Sequence, residues 1–165
     1  MKILAIITPI LFIVYNVVVV KITCIPTSLS ETFYNLKNKY KCGWIFTIFL
    51  FVISITSMLL LLYITKDKPY QFLSFLSSIG LMFVAVSPNF KSLENRKIHF
   101  IFATLSLTCA LILIFCLKFY FLIICNIALA LYLILSKNKF KIYYIEVSVF
   151  TSIFITIIFK IFNCI

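Results

Sequence analysis

Apolar residues fall into six long blocks along the chain, at about 3–20, 43–65, 70–87, 98–117, 119–135 and 143–162, parted by short polar stretches. Each block approaches the roughly 20 residues that a helix needs to cross the hydrocarbon layer. Runs such as Phe49-Leu50-Phe51-Val52-Ile53 and Met58-Leu59-Leu60-Leu61-Leu62 do not alternate, unlike the ten-residue alternating strands of a membrane β-barrel. The pattern predicts an all-α membrane protein: a six-transmembrane-helix bundle, with residues 1–165 forming a single integral membrane domain.

Boundaries between blocks carry recognisable stop signals. Lys66-Asp67-Lys68-Pro69 ends the second block, because proline disfavours helix at the residue before it. Pro88-Asn89-Phe90 ends the third. The fourth and fifth blocks together exceed 35 residues, roughly 50 Å of helix and too long for one crossing, so a break is expected at Lys118, the single charge between them. The first block is expected to be a retained span. No small-x-small cleavage site precedes the polar loop, and Lys21 stands where a lipoprotein signal ending at Cys24 would carry an apolar residue.

The longest polar stretch, Lys21 to Cys42, holds its own signal. Ser28 and Glu31 have capping-box spacing, and Leu29, Phe33, Leu36 and Tyr40 recur at helical spacing among Asn35, Lys37, Asn38, Lys39 and Lys41. A short interfacial helix is therefore expected after the first span.

Composition agrees with lipid as the solvent. The chain is 64% hydrophobic and 12% charged, against roughly half and a quarter in soluble domains, and a soluble globule of this size would expose large apolar patches. The net charge of +11 would suggest nucleic acid in a soluble protein, but its lysines and arginines flank apolar blocks. No base-reading module is left, so no nucleic-acid partner is expected. Lys21, Lys37, Lys39, Lys41, Lys91, Arg96, Lys97, Lys137, Lys139 and Lys141 fall on one face of a six-span bundle. Lys2, Lys66, Lys68, Lys118 and Lys160 fall on the other, so the positive-inside rule places both termini outside the cytoplasm.

Six cysteines without a CxxC and a single histidine do not make a closed zinc site, and no metal or cofactor is expected. Cys109, Cys116 and Cys125 lie within apolar blocks and read as small hydrophobes. Cys24 and Cys42 flank the polar loop and would pair only in an oxidising compartment.

Chemistry is sparse. Ionisable groups at membrane spans are costly and are candidates for function. Glu31, Glu94, His99 and Glu146 all fall on one face, with Ser28, Ser30 and Asn89. Each has a structural reading too. Glu31 completes a cap, Glu94 reads as a solvated first-turn carboxylate, and His99 can extend its tip to the interface. Ala103, Ser106 and Ala110 after His99, and Ser148, Ser152 and Thr156 after Glu146, read as helix-packing stripes. Ser28, Glu31, Asn89, His99 and Glu146 form the candidate ligand-binding set, with no catalytic residue assigned. A serine hydrolase would have to rely on one imidazole, and isolated Gly43 and Gly80 exclude a phosphate-binding glycine loop.

The segment Pro26-Thr27-Ser28-Leu29-Ser30-Glu31-Thr32-Phe33-Tyr34, then Gly80-Leu81-Met82-Phe83-Val84-Ala85 leading to Pro88, then His99-x-x-x-Ala103, resembles uncharacterised six-span bacterial membrane proteins. It is distantly similar to the Frag/DRAM/Sfk family, which has a Ser-Ile-Ser-Asp-like motif after its first span and a His-Asn pair before its fourth. Here Glu31 takes the acidic position and Phe100 follows the histidine, so a shared ligand set is not implied. The resemblance implies a role in lipid or membrane homeostasis, a bacterial inner membrane location, and a first loop outside, opposite to the charge count. The expected function is non-enzymatic, binding lipid or a small polar ligand at one membrane face. The alternatives are a transport or proton-relay component using Glu146 and His99, and a membrane-embedded hydrolase.

Overall fold

The computed structural model describes residues 1–91 and 93–162, with Leu93 and Glu94 described in their backbone alone. The expectation for the side chain of Glu94 lies outside the described residues, as does one of the six cysteines, Cys164. Among those described, the chain forms seven helices: α1 (Lys2–Thr23), α2 (Glu31–Tyr40), α3 (Trp44–Ile64), α4 (Gln71–Val86), α5 (Leu93–Cys116), α6 (Tyr120–Leu135) and α7 (Lys141–Ile161).

Four of them, α1, α3, α7 and the Asn95–Cys116 part of α5, are long and apolar enough to cross a membrane. The expectation of six spans is therefore met at full length by four. Helices α4 and α6 are apolar but have 16 residues each, about 24 Å of helix against a hydrocarbon layer of roughly 30 Å. Their flanking turns consume residues that hydropathy alone had counted as helix.

The break expected at Lys118 is present. Its φ of 70° is left-handed, its N–H donates to the Phe115 carbonyl, and the Phe119 N–H donates to Ile114 at 3.1 Å. This paired return closes the last carbonyls of α5 in a Schellman arrangement. Lys137 ends α6 the same way, with φ 51° and bonds from Lys137 to Ile134 and from Asn138 to Leu133.

Helices α3, α4 and α5 run antiparallel in sequence. The Ser54 hydroxyl donates to the Ser78 carbonyl at 2.7 Å, and Thr65 and Ser74 share a hydroxyl bond of 3.0 Å. Ser77 and Ser106 exchange reciprocal bonds of 3.2 and 2.6 Å to each other's carbonyls. Gly80 lets the backbones meet: a Cβ there would stand 2.9 Å from the Phe102 carbonyl oxygen and 2.9 Å from Ser106 Cβ. Helix α6 returns the chain to α7, and α7 lies against α1, where Phe12 stacks on Phe150 at 4.9 Å and meets Phe154 edge-on at 5.4 Å.

The helix expected between Leu29 and Tyr40 forms as α2, but its seating differs from a simple amphipathic stripe. Leu29 and Leu36 are buried, and so are Thr32 and Tyr34, whereas Tyr40 is 45% exposed. Thr32 is drawn in by the Tyr15 hydroxyl at 2.8 Å, with the Tyr15 ring stacked on Phe49. Helix α2 thus lies across the end of the bundle where α1 ends and α3 begins. Cys24 and Cys42, at either end of this segment, are free thiols.

Candidate functional site

The capping motif is shifted by one residue from its expected form. Ser28 Oγ accepts the Glu31 N–H at 3.3 Å, as the spacing predicts. The Glu31 carboxylate reaches past Ser28 and accepts from the Thr27 N–H at 2.7 Å and from the Thr27 hydroxyl. Burial alone would raise this carboxyl, but the Thr27 hydroxyl and amide, with the Lys91 charge nearby, hold it below its ordinary range. Glu31 is therefore a fixed negative charge at the bundle end.

Glu146 does more than begin a packing stripe. From the first turns of α7 its Oε2 accepts the Leu29 N–H at 2.6 Å. That amide lies in the turn that leads into α2, so a carboxylate 117 positions away tethers the entry to the capping helix to the bundle. Ser148 and Ser152 point elsewhere. Ser148 donates to Asn126 Oδ1, and Asn126 donates to Ser152 Oγ, each at 2.7 Å. Ser148 and Ser152 thus join α7 to α6, while the Thr156 hydroxyl donates back to the Ser152 carbonyl within α7.

His99 does not extend to an interface. It is 3% exposed, with Nδ1 2.9 Å from the Ser87 carbonyl oxygen and its ring 4.8 Å from that of Phe90. The α4 C-terminus leaves carbonyls without helical partners, and the imidazole meets one of them. Asn89 serves the neighbouring turn: the Tyr34 hydroxyl donates to its Oδ1 at 2.9 Å, and accepts the Lys91 N–H at 2.8 Å.

Between these elements lies a cavity of about 380 Å³. Four of the five residues singled out by sequence, Ser28, Glu31, His99 and Glu146, line it. Asn89 is not among the lining residues; its Oδ1 accepts from the Tyr34 hydroxyl. Ser30, Thr27 and Lys91 add to the polar wall, and Thr27 and Lys91 were not singled out: Lys91 looked like one of many flanking lysines, and no local pattern distinguishes it. Phe100, Ala103, Thr104, Leu107 and Ile142 supply the other wall. Phe100 of α5 and Ile142 of α7 are half exposed, so this wall reaches the surface of the protein. Behind Glu146 a separate void of about 30 Å³, lined by Ser30, Leu50, Leu81 and Phe150, is large enough for one water molecule.

Among the described residues no three His, Cys, Asp or Glu side chains gather as a metal site. What the arrangement offers chemically is two carboxyls, one ammonium, one imidazole and several hydroxyls above an apolar slot.

Fold and site together define a helical protein with four helices able to span a membrane and a polar cavity under a capping helix at one end. Comparison with family models, with curated proteins and with solved structures gives no match.

Proposed function

We propose that this protein is an integral membrane protein of the bacterial inner membrane, akin in plan to the Frag/DRAM/Sfk family, that binds an amphiphilic ligand without transforming it. The observation that carries this reading is the cavity's mixed lining: Thr27, Ser28, Glu31, Lys91 and Glu146 supply charged and hydroxyl groups, and Phe100, Ala103, Leu107 and Ile142 supply an apolar side. A lipid presents the same mixture, headgroup beside tail.

The proposal includes six crossings. Because α4 runs antiparallel to both α3 and α5, the chain returns through α4 before α5 can cross in the same sense as α3, and α6 does the same between α5 and α7. A short helix of this kind is accommodated by local thinning of the bilayer and by the lysines at its ends.

Transport finds less support. Beyond Leu107 lie Leu113, Ile114, Phe154 and Ile157, all buried and apolar. A hydrolase finds less as well, since the His99 nitrogen that is engaged faces a carbonyl and not a hydroxyl.

The test is lipid retention by the purified chain, read by native mass spectrometry. Leu107→Trp, which fills the slot, is expected to strip bound lipid, while Ile124→Trp on the exposed face of α6 is expected to leave it. Equal retention by both variants would overturn the reading.

A further inference from the structure

The charges of the cavity are opposite in balance to those of the face around it. The whole chain has four acidic residues against fifteen basic ones. Two of those four, Glu31 and Glu146, line this one cavity, with Lys91 as its ammonium. An anionic ligand would find lysines anywhere on this face, so charge attraction alone does not call for a cavity with two carboxyls. A ligand with a cation beside an anion does.

The carboxyls also have unused capacity. A carboxylate offers about four acceptor positions. Glu146 uses one oxygen for the Leu29 N–H, and Glu31 uses one for Thr27. Among the described residues no ion pair joins either to a lysine, and Oε1 of each accepts no hydrogen bond. Lys91, exposed at the rim, holds its ammonium 4.4 Å above the Tyr34 ring, and Ser28 adds a hydroxyl to the same cavity.

Resting on the amphiphile-binding reading, we propose that the cavity selects a zwitterionic headgroup carrying a primary ammonium next to a phosphate, as in phosphoethanolamine. The ammonium sits on Glu146 with Ser30 and Glu31 around it. The phosphate sits at the rim on Lys91 with the Ser28 hydroxyl, which accepts the Glu31 N–H and keeps its own proton to donate. A primary ammonium brings three N–H donors to carboxylates that accept charge-assisted bonds, whereas a quaternary ammonium brings none. Phosphatidylethanolamine and soluble phosphoethanolamine share this chemistry; the apolar edge formed by Phe100, Leu107 and Ile142 favours the lipid.

The experiment follows the thermal unfolding midpoint of the full chain in detergent while phosphatidylethanolamine, phosphatidylcholine or phosphatidylglycerol of the same acyl chains is titrated, and separately soluble phosphoethanolamine. Phosphatidylethanolamine is expected to reach half its effect at about a tenfold lower concentration than the other two, the size of one good charge-assisted bond. Glu146→Gln, which keeps an acceptor for Leu29, is expected to abolish the preference over phosphatidylcholine. Lys91→Gln is expected to weaken both phospholipids while leaving their order. Should Glu146→Gln fail to fold, Glu31→Gln is expected to reduce the same preference. Stabilisation by soluble phosphoethanolamine equal to that by the lipid would keep the headgroup chemistry and assign it to a soluble source. Equal response to all three lipids, suppressed by Leu107→Trp, would overturn the headgroup assignment and leave amphiphile binding standing. A response that Leu107→Trp does not alter would overturn both.

Discussion

At Glu31 a single carboxylate closes the turn that begins α2 and faces the cavity. Its proton affinity is lowered on folding, so it contributes stability that is present above the ordinary carboxylate value of 4.5 and is lost as pH falls through the lowered value. Glu31→Gln is expected to remove that acid-side step from the pH dependence of the unfolding midpoint, and an unchanged profile would show that the Thr27 bonds carry no net stability. Ser28 contributes less. Its bond to the Glu31 N–H is long, at 3.3 Å, so Ser28→Ala is expected to cost about 0.5 kcal/mol, the low end for a lost cap. Amide exchange over Thr27–Phe33 should quicken accordingly. Slow exchange unaffected by the change would mean that Glu146, through Leu29, holds the turn by itself.

Helices α3, α4 and α5 meet through small residues and hydroxyls, which let backbones approach closely in lipid. At Gly80 the α4 backbone lies close against α5. Gly80→Ala places a methyl 2.9 Å from backbone oxygen at Phe102, which cannot turn aside as a side chain would. A loss of about 1 to 3 kcal/mol is expected from this overpacking, measured by reversible unfolding in mixed micelles. Helix α6 is held differently. Asn126 and Leu133 are its buried residues, and Asn126 bonds to both Ser148 and Ser152. Asn126→Leu is expected to cost about 1 kcal/mol, in the range for interhelical hydrogen bonds in membranes, and to speed exchange in α6 above all. Unaltered exchange there would mean that α6 is fixed by its turns.

The alternation of the helices has one consequence for the whole molecule. Reporter fusions in the loops after α1, α4 and α6 are expected on one side of the membrane, and fusions near Lys66, near Lys118 and at either terminus on the other. An odd number of crossings would place the loop-end residues of the cavity on two sides. Charge count and family resemblance predict opposite absolute orientations, and the same fusions decide between them.

Apolar blocks long enough to span, with lysine, proline and asparagine between them, determined the helices to within a few residues of their ends, because hydropathy and turn chemistry are local properties of a chain. They also determined the break at Lys118, since no crossing accommodates the combined length of α5 and α6. What sequence could not determine is which polar side chains meet. Ser28, Glu31, His99 and Glu146 come from three separate parts of the chain, and their shared cavity depends on α2 folding back over the bundle and on Leu29 meeting Glu146. Asn89, as polar and as near in sequence to His99, turns away because Tyr34 offers a hydroxyl at 2.9 Å. Lys91 is one cation among fifteen in the sequence and acquires its place through the backbone bond to that same tyrosine. Spacing along a helix fixes the face on which a residue lies, but the partner opposite that face is chosen by helix packing, which brings together residues that no local pattern connects.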